Sequence, residues 1–442
     1  MWIPTSVILI SVLLPILGQN CSIGATLNNI TPLAIPLEKK LFVRGGDGVF
    51  NVTAAQLSHQ HTLKKYRGTR EKYRNAGSDS SHQHTDHESQ SPKPNHHHRQ
   101  VERLTNQGNQ SRDVKDAKIL NFTLTQKKID SGLVQIGTPS QTFSIDFDTG
   151  SGDFWVPTVD CKAHPCKSKN TYNASASKTS SKLPDLFNIN YGDGSSTSGI
   201  HYTDSVKLAG ITIKNQTFAG VSTLSDSFQQ DPTDGILGLA YPAISHLHSS
   251  SFIENAFRQG LIPSKMFSFK IANEGGELYL GGVNPARFVG PLEAHPVTRQ
   301  AYWQIGNGSV NINGYTIIQR GEMIIDSGTT IIYGPKADVE KLYSRVQGAK
   351  KYGKREGLWK FPCAKAPSVS FSWNGGRQWT IEPKKMSLGK VETNSEDCIG
   401  AISSQSVGLN NSWLLGDTFM SNVYSVFNPT EGVNTVAFAK PV

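Results

Sequence analysis

Short segments of alternating apolar and polar residues fill the chain from about residue 118 to its end. They are rich in β-branched and aromatic residues, and Gly, Asn, Asp or Pro separates them at intervals of roughly ten residues. Because successive side chains of a strand point to opposite faces, this pattern predicts strands and a mostly β protein. The predicted strands include 143–147, 187–191, 315–318 and 370–373. Helical periodicity is confined to 251–259 and 335–346.

The first 112 residues have a different character. Residues 1–18 carry a short apolar run that Pro15 interrupts, which is typical of a cleaved secretory signal peptide and not of a membrane anchor. We expect residues 19–112 to form a prosegment that ends in a polar, disordered linker from about residue 75. Eight of the thirteen His lie before residue 113, and metal binding is the alternative interpretation of their clustering. We favour a solvated linker that extends on acidification, because imidazoles gain charge below about pH 6.5.

The formal charge of +9 is concentrated in this first part. Residues 1–112 contain 13 Lys and Arg against 7 Asp and Glu, and the remainder is nearly balanced. The remainder shows no basic stripe interleaved with aromatic residues, so we expect no nucleic-acid partner. It also contains no run of 18 apolar residues, so we expect no membrane anchor.

The five cysteines agree with an oxidising compartment. Cys161 and Cys166 lie five residues apart, and Cys363 and Cys398 form a second couple, so we expect two disulfides. Cys21 is left over near the expected signal cleavage, and the CxxC spacing of a zinc site is missing. Acceptor sequences for N-glycosylation occur at Asn173, Asn215, Asn307 and Asn410. These features predict a secreted glycoprotein, with a vacuole as the alternative destination.

One pattern occurs twice in the chain. The segment 144–152 around Asp148 recurs in outline as 322–330 around Asp326, 178 residues later. A second, shorter pattern follows each copy, at 234–239 and at 413–417. It consists of two or more apolar residues beside a glycine and an aspartate, and we call its two occurrences the echo segments. The duplication predicts two related lobes that each contribute one carboxylate.

The chemistry of such a pair follows from its charge. An Asp after an apolar strand, before a small hydroxyl residue and Gly, lies on a tight turn where backbone amides can reach it. A single acidic turn usually has only a structural role, but two such turns in matching sequence contexts favour a functional role. If the lobes pair about a two-fold axis, Asp148 and Asp326 meet and share one proton. The pair can then activate water for peptide hydrolysis in acid, without a metal or other cofactor.

Several further motifs resemble the pepsin-like aspartic proteases, particularly the secreted fungal type. They are IGTPSQ at 136–141, FWVP at 154–157, DGILGL at 234–239, YWQI at 302–305 and LLGDTF at 414–419. With the two acidic turns, the resemblance runs from about residue 132 to the C-terminus. It implies two pseudo-symmetric, β-barrel-like lobes of the pepsin fold, at 119–305 and 306–442, with a cleft between them. It also implies a monomeric endopeptidase that cuts proteins and peptides between large hydrophobic residues.

The resemblance also assigns roles to individual residues. Asp148 and Asp326 are the implied catalytic pair, with Thr149 and Ser327 bridging the lobes and Ser151 bonded near Asp148. The other implied supporting residues are Gly150, Trp155, Gly328 and Thr329. The implied flap over the cleft has its tip at Tyr191, Gly192, Asp193 and Gly194. Tyr191 is expected to donate a hydrogen bond to Trp155 or accept one from it, and Asp193 to admit Lys before the scissile bond.

Members of this family are made as precursors whose basic prosegment blocks the cleft. Lys65 and Tyr66 are our candidates for the inhibitory pair, because Lys65 directly precedes Tyr66. A solvated charge run is the alternative. The resemblance thus implies that the prosegment is an intramolecular inhibitor, removed by a cut between about residues 78 and 118.

Two other functions remain to be weighed. A catalytically inactive relative that only binds proteins would normally have lost one acidic turn, whereas both turns, Tyr191 and Trp155 are present. A glycosidase also uses two carboxylates, but that function does not explain the duplicated turns.

Overall fold

The computed structural model describes residues 32–37, 48–76, 131–190, 196–229, 231–353, 357–404 and 411–442. Before residue 77 the elements are β1 (Leu33–Leu37), α1 (Val52–Gly68) and α2 (Arg70–Asn75). From 131 to 300 they are β2 (Ser131–Ile136), β3 (Gln141–Asp148), β4 (Phe154–Pro157), β5 (Ser181–Asn190), β6 (Ser196–Leu208), β7 (Ile211–Thr223), β8 (Gly235–Gly238), α3 (Phe252–Arg258), β9 (Phe267–Lys270), β10 (Gly276–Leu280) and β11 (Phe288–Gln300).

The remaining elements belong to the C-terminal part of the chain. They are β12 (Trp303–Ile312), β13 (Tyr315–Ile325), β14 (Ile332–Gly334), α4 (Lys336–Tyr343), β15 (Lys350–Tyr352), β16 (Leu358–Pro362), β17 (Val369–Trp373), β18 (Trp379–Thr380), β19 (Ser387–Lys390), β20 (Asp397–Gly400), β21 (Ile402–Ser404), β22 (Trp413–Leu415), α5 (Asp417–Met420), β23 (Tyr424–Asn428) and β24 (Thr435–Pro441). The mostly β prediction is confirmed.

The N-terminal lobe is a sheet that closes on itself. Its strands run in the order β2, β3, β8, β4, β7, β6 and β5, and an additional pairing of β2 with β6 completes a barrel. Closure leaves the inward side chains packed on one another, and Val134, Ile145 and Phe218 are among those fully buried.

A second sheet of 13 strands contains strands from both halves of the chain, and a separate four-stranded sheet, in the order β15, β16, β20 and β19, lies in the C-terminal part. The path of the second sheet runs β1, β10, β9, β23, β24, β11, β12, β13, β22, β14 and β21, and β17 and β18 branch from β12. Phe267, Trp303 and Phe427 pack ring against ring on this sheet, with centroids 5.1–5.6 Å apart. The expected boundary between residues 305 and 306 falls inside β12.

The duplicated sequence appears as duplicated strand pairing. β3, which ends at Asp148, pairs in parallel with β8, and β13, which ends before Asp326, pairs in parallel with β22. β8 and β22 are the two echo segments of the sequence. Each acidic turn therefore follows a buried strand that is paired with an echo segment. The two turns consequently have matching local surroundings. The two-lobed prediction is confirmed.

The predicted helices and several predicted strands lie where the pattern put them. The segment 251–259 contains α3, where Ser251 Oγ accepts from Glu254 N at 3.2 Å and Glu254 Oε2 accepts from Ser251 N at 3.1 Å. This reciprocal cap satisfies two backbone donors at the start of the helix. The segment 335–346 contains α4, whose Val339, Leu342 and Tyr343 are buried.

The elements before residue 77 were not predicted. β1 pairs antiparallel with β10 at the edge of the second sheet, and α1 and α2 lie against both lobes. Phe50, Tyr66 and Tyr73 share one hydrophobic cluster with Tyr302 and residues of the C-terminal lobe. None of the helices within the described ranges has the length and apolar composition that a bilayer crossing requires.

Candidate active site

Asp148 and Asp326 lie on matching turns, and neither has any surface exposed to solvent. Gly150 N donates to Asp148 Oδ1 at 2.8 Å, and Gly328 N donates to Asp326 Oδ1 at 3.0 Å. The hydroxyl of Thr329 also donates to Asp326 Oδ2. These donors stabilise ionised carboxylates and fix their orientation.

Thr149 and Ser327 tie the two turns together. Thr149 N donates to Ser327 Oγ at 3.0 Å, and Ser327 N donates to Thr149 Oγ1 at 2.9 Å. Each hydroxyl then donates to a strand carbonyl of the other lobe: Thr149 Oγ1 to Ile325 O at 2.9 Å and Ser327 Oγ to Phe147 O at 2.6 Å. The two carboxylates are thus held relative to each other by four buried hydrogen bonds.

The two turn glycines allow the lobes to approach. A Cβ on Gly150 would lie 2.3 Å from Asp326 Oδ1, and a Cβ on Gly328 would lie 2.2 Å from Asp148 Oδ1. No side chain larger than hydrogen fits at either position without moving the opposite carboxylate.

The side chain of Lys65 lies between the two carboxylates. Its Nζ is 3.0 Å from Asp148 Oδ1, 3.0 Å from Asp326 Oδ1 and 2.8 Å from Asp326 Oδ2, and the residue is 7% exposed. Tyr66 OH donates to Asp326 Oδ2 at 2.9 Å. Lys65 and Tyr66 therefore contact the same carboxylate pair that the sequence singled out.

Burial and mutual charge set the titration of this cluster. Burial disfavours the ammonium, but Asp148 and Asp326 outweigh it and raise the pKa of Lys65 above its ordinary range. Burial also works to raise the pKa of both carboxyls, and Lys65 opposes it. The outcome is a pKa below the usual 3.8 for Asp148 and above it for Asp326. The two carboxyls interact strongly, so they titrate as one coupled pair that shares its first proton.

The other expected site residues are distributed as follows. Ser151 is close enough to help lower the pKa of Asp148. Trp155 is buried, with its ring 5.2 Å from that of Phe228. The expected flap tip lies outside the described residues, namely Tyr191, Gly192, Asp193 and Gly194, and the strands that lead to it are β5 and β6.

Sequence reasoning missed several residues of this region. Thr69 shares a hydrogen bond with Tyr302 OH, and the Tyr302 ring lies 4.9 Å from that of Tyr66. His59 packs against the ring of Tyr333 at 5.3 Å. Tyr302 was part of a quoted motif, but nothing in the sequence indicated that the α1 and α2 side chains would meet it.

Both expected disulfides are present and lie outside the carboxylate cluster. Cys161–Cys166 follows β4, and Cys363–Cys398 links the end of β16 to β20. Among the described residues, no group of three His, Cys, Asp or Glu is arranged to hold a metal ion. The His-rich stretch between residues 82 and 98 lies outside them.

Comparison with known proteins gives a consistent result. The family model for eukaryotic aspartyl proteases matches residues 131–441. An aspartic protease of Phaffia rhodozyma is 40% identical over 318 residues, which are 71% of this chain and 76% of that protein. Cathepsin E of Aquarana catesbeiana is 37% identical over 325 residues (70% and 79%), and pepsin A of Sus scrofa is 32% identical over 308 residues (67% and 78%).

Proposed function

This chain belongs to the eukaryotic aspartyl protease family and is an aspartic endopeptidase, and from that premise we propose that Asp148 and Asp326 are its catalytic pair and that residues 19–112 hold it inactive. The family resemblance of the motifs is thereby confirmed. The main observation behind the proposal is that the two buried carboxylates lie on matching turns, with the ammonium of Lys65 between them.

In the proposed reaction the pair works with one proton. The ionised carboxylate accepts a proton from a water molecule that attacks the peptide carbonyl, and the protonated carboxyl donates to the carbonyl oxygen. Once Lys65 has left, two buried carboxylates so close together cannot both be ionised at low cost, which favours the singly protonated state that this step needs. The Thr149 and Ser327 hydrogen bonds support the mechanism because they hold the oxygens without reorganisation during the reaction.

The proposed inhibition uses the same oxygens. Lys65 Nζ lies at hydrogen-bond distance from both carboxylates, in the space where the attacking water must bind. Tyr66 and Thr69 add contacts to Asp326 and Tyr302. As long as α1 is docked, no substrate carbonyl reaches the pair.

Acid should release this inhibitor. Lys65 lowers the pKa of both carboxyls, so by linkage docking favours their ionised forms and weakens as each accepts a proton. The two carboxyls titrate as a coupled pair, with the pKa of Asp326 above the usual 3.8 and that of Asp148 below it. The pH window for release therefore spans the region around pH 4, and activity should be highest in acid.

The remaining parts of the proposal concern substrate and destination. An extended peptide would bind between the lobes under a flap with its tip at 191–194, with large hydrophobic residues beside the cut. Asp193 would pair with a substrate Lys, and equal cleavage of Lys peptides by Asp193→Ala would remove that part. The apolar run at 1–18 and the two disulfides support secretion, and the enzyme is proposed to act as a monomer.

One experiment tests the core of the proposal. The purified precursor is incubated at about pH 3.5 with a denatured protein, with and without a statine-type transition-state analogue, beside an Asp148→Asn variant. We expect digestion by the wild-type chain alone. Digestion that persists in both the inhibited sample and the variant would refute the catalytic assignment.

A further inference from the structure

Tyr73 of α2 fills a pocket that belongs to the body of the enzyme. The side chain is buried, at 1% exposure, with its ring 5.6 Å from the ring of Tyr302. The Arg299 guanidinium carbon lies 4.3 Å from the ring centroid of Tyr73, and Arg299 Nη1 donates to the backbone oxygen of Tyr73 at 3.1 Å. We call the surroundings formed by Arg299, Tyr302 and Gln304 the Tyr73 pocket.

The deep end of the pocket holds a fixed hydrogen-bond acceptor. Tyr73 OH donates to Gln304 Oε1 at 2.8 Å, and Gln304 Nε2 donates to Glu322 Oε2 at 2.7 Å. The Thr298 hydroxyl donates to the same Glu322 oxygen at 2.8 Å. Glu322 Oε2 accepts both hydrogen bonds, which holds the Gln304 amide with its nitrogen toward Glu322 and its oxygen toward the phenol.

The pocket adjoins the catalytic carboxylates. Tyr66 contacts Asp326, and the Tyr302 ring packs on the rings of both Tyr66 and Tyr73. Tyr302, one wall of the pocket, therefore contacts the residue that touches the carboxylate pair. Arg299, Tyr302 and Gln304 lie on or between β11 and β12 and remain with the enzyme when α2 departs.

We propose that the Tyr73 pocket is a substrate subsite that selects tyrosine, with Gln304 recognising the phenolic hydroxyl and Arg299 packing on the ring. The inference rests on the proposed protease function and names one of its specificity determinants. Gln304 is only 4% exposed, so phenylalanine in this pocket would leave its oxygen buried without a donor. An aliphatic residue would also lose the cation–π contact.

The expected preference is large enough to measure. The buried Gln304 oxygen, left unpaired, should reduce cleavage at phenylalanine relative to tyrosine by a factor of roughly 5 to 150. Lysine and arginine should be disfavoured at the same position because Arg299 carries the same charge.

The test is cleavage of a random peptide library by the mature enzyme, with the products sequenced. For the wild type we expect one position within about four residues of the cut, the span an extended peptide lays across such a cleft, to favour tyrosine over phenylalanine. Gln304→Leu should reduce that ratio to about one at this position alone. Arg299→Met should lower tyrosine and phenylalanine together relative to leucine while their ratio persists. Glu340→Gln, in an exposed ion pair with Lys351, is the control.

The outcomes separate the two hypotheses. No cleavage above the level of Asp148→Asn refutes the proposed function itself. Cleavage by the wild type without a tyrosine preference at any position, or a preference that Gln304→Leu leaves intact, overturns the subsite alone. Should Gln304→Leu fail to fold, the wild-type ratio and the Arg299→Met profile decide the matter.

Discussion

Thr149 and Ser327 exchange hydrogen bonds, since the backbone N–H of each donates to the hydroxyl oxygen of the other, at 3.0 and 2.9 Å. Ser327→Ala would leave the buried Thr149 N–H without its acceptor, which costs about 1–3 kcal/mol. We expect a lower unfolding midpoint in urea and a lower kcat, because the carboxylates lose part of their mutual alignment. Ser327→Thr keeps the hydroxyl and should retain most of both. Equal unfolding midpoints and equal kcat for the two variants would contradict this aligning role of the Ser327 hydroxyl.

Gly150 and Gly328 should not tolerate a methyl group. In each case the added Cβ would lie under 2.4 Å from an oxygen of the opposite carboxylate, so Gly150→Ala or Gly328→Ala must displace it. We expect kcat to fall by at least about a hundredfold, because misplacing a reacting group by about 1 Å has that effect. Gly282→Ala is the matched control, since its nearest neighbour would be 3.7 Å away. Retained kcat in either turn variant would show that the turns are less confined than described.

Replacing Lys65 by methionine should weaken inhibition at neutral pH. The change removes the cation from a buried cluster and leaves two carboxylates uncompensated, a type of loss that costs about 3–5 kcal/mol. We expect Lys65→Met to cleave a reporter peptide, and to lose its prosegment, at a higher pH than the wild type. Mass spectrometry follows the loss, and Arg70→Met, an exposed position on α2, is the control. An unchanged threshold would argue against Lys65 as the inhibitory group.

His59 adds a second pH dependence to docking. Burial, assisted by the charge of Arg67, lowers the pKa of His59 from 6.5 to about 4. Its ring packs on Tyr333, and its Nδ1 has no hydrogen-bond partner among the described residues. Docking thus requires the neutral imidazole, and the docked form loses up to about 3 kcal/mol as the pH falls from 6.5 to 4.

The matching experiment measures the pH midpoint of activation. His59→Phe keeps an aromatic ring but cannot gain a proton, so the variant should need more acid, with a midpoint lower by about half a unit or more. His61→Phe is the control, because the imidazole of His61 also contacts an aromatic ring. It meets the ring of Phe228 edge-on, with 4.6 Å between the centroids. A midpoint that stays in place, or rises, would exclude His59 as a contributor.

The local pattern of apolar and polar residues predicted much of the fold. Alternation of apolar and polar residues predicted β3, β13 and β17, although all five residues of β17 are buried. It missed α1 and α2 because their apolar residues are sparse and are buried by Tyr302 and its neighbours, not by each other. The turn after β17 was readable as well, since Asn374 and Gly375 both adopt positive φ, which few other residues accept.

The candidate catalytic residues could be identified from the amino-acid sequence. Two copies of an acidic turn, each after an apolar strand and each followed by an echo strand, identify Asp148 and Asp326 without any coordinates. Their surroundings became visible in the folded chain, where Lys65 lies between the carboxylates, each turn glycine faces the opposite carboxylate and Gln304 accepts a hydrogen bond from Tyr73. The physical reason is that strand periodicity and turn chemistry are local, whereas these contacts join residues up to 261 positions apart.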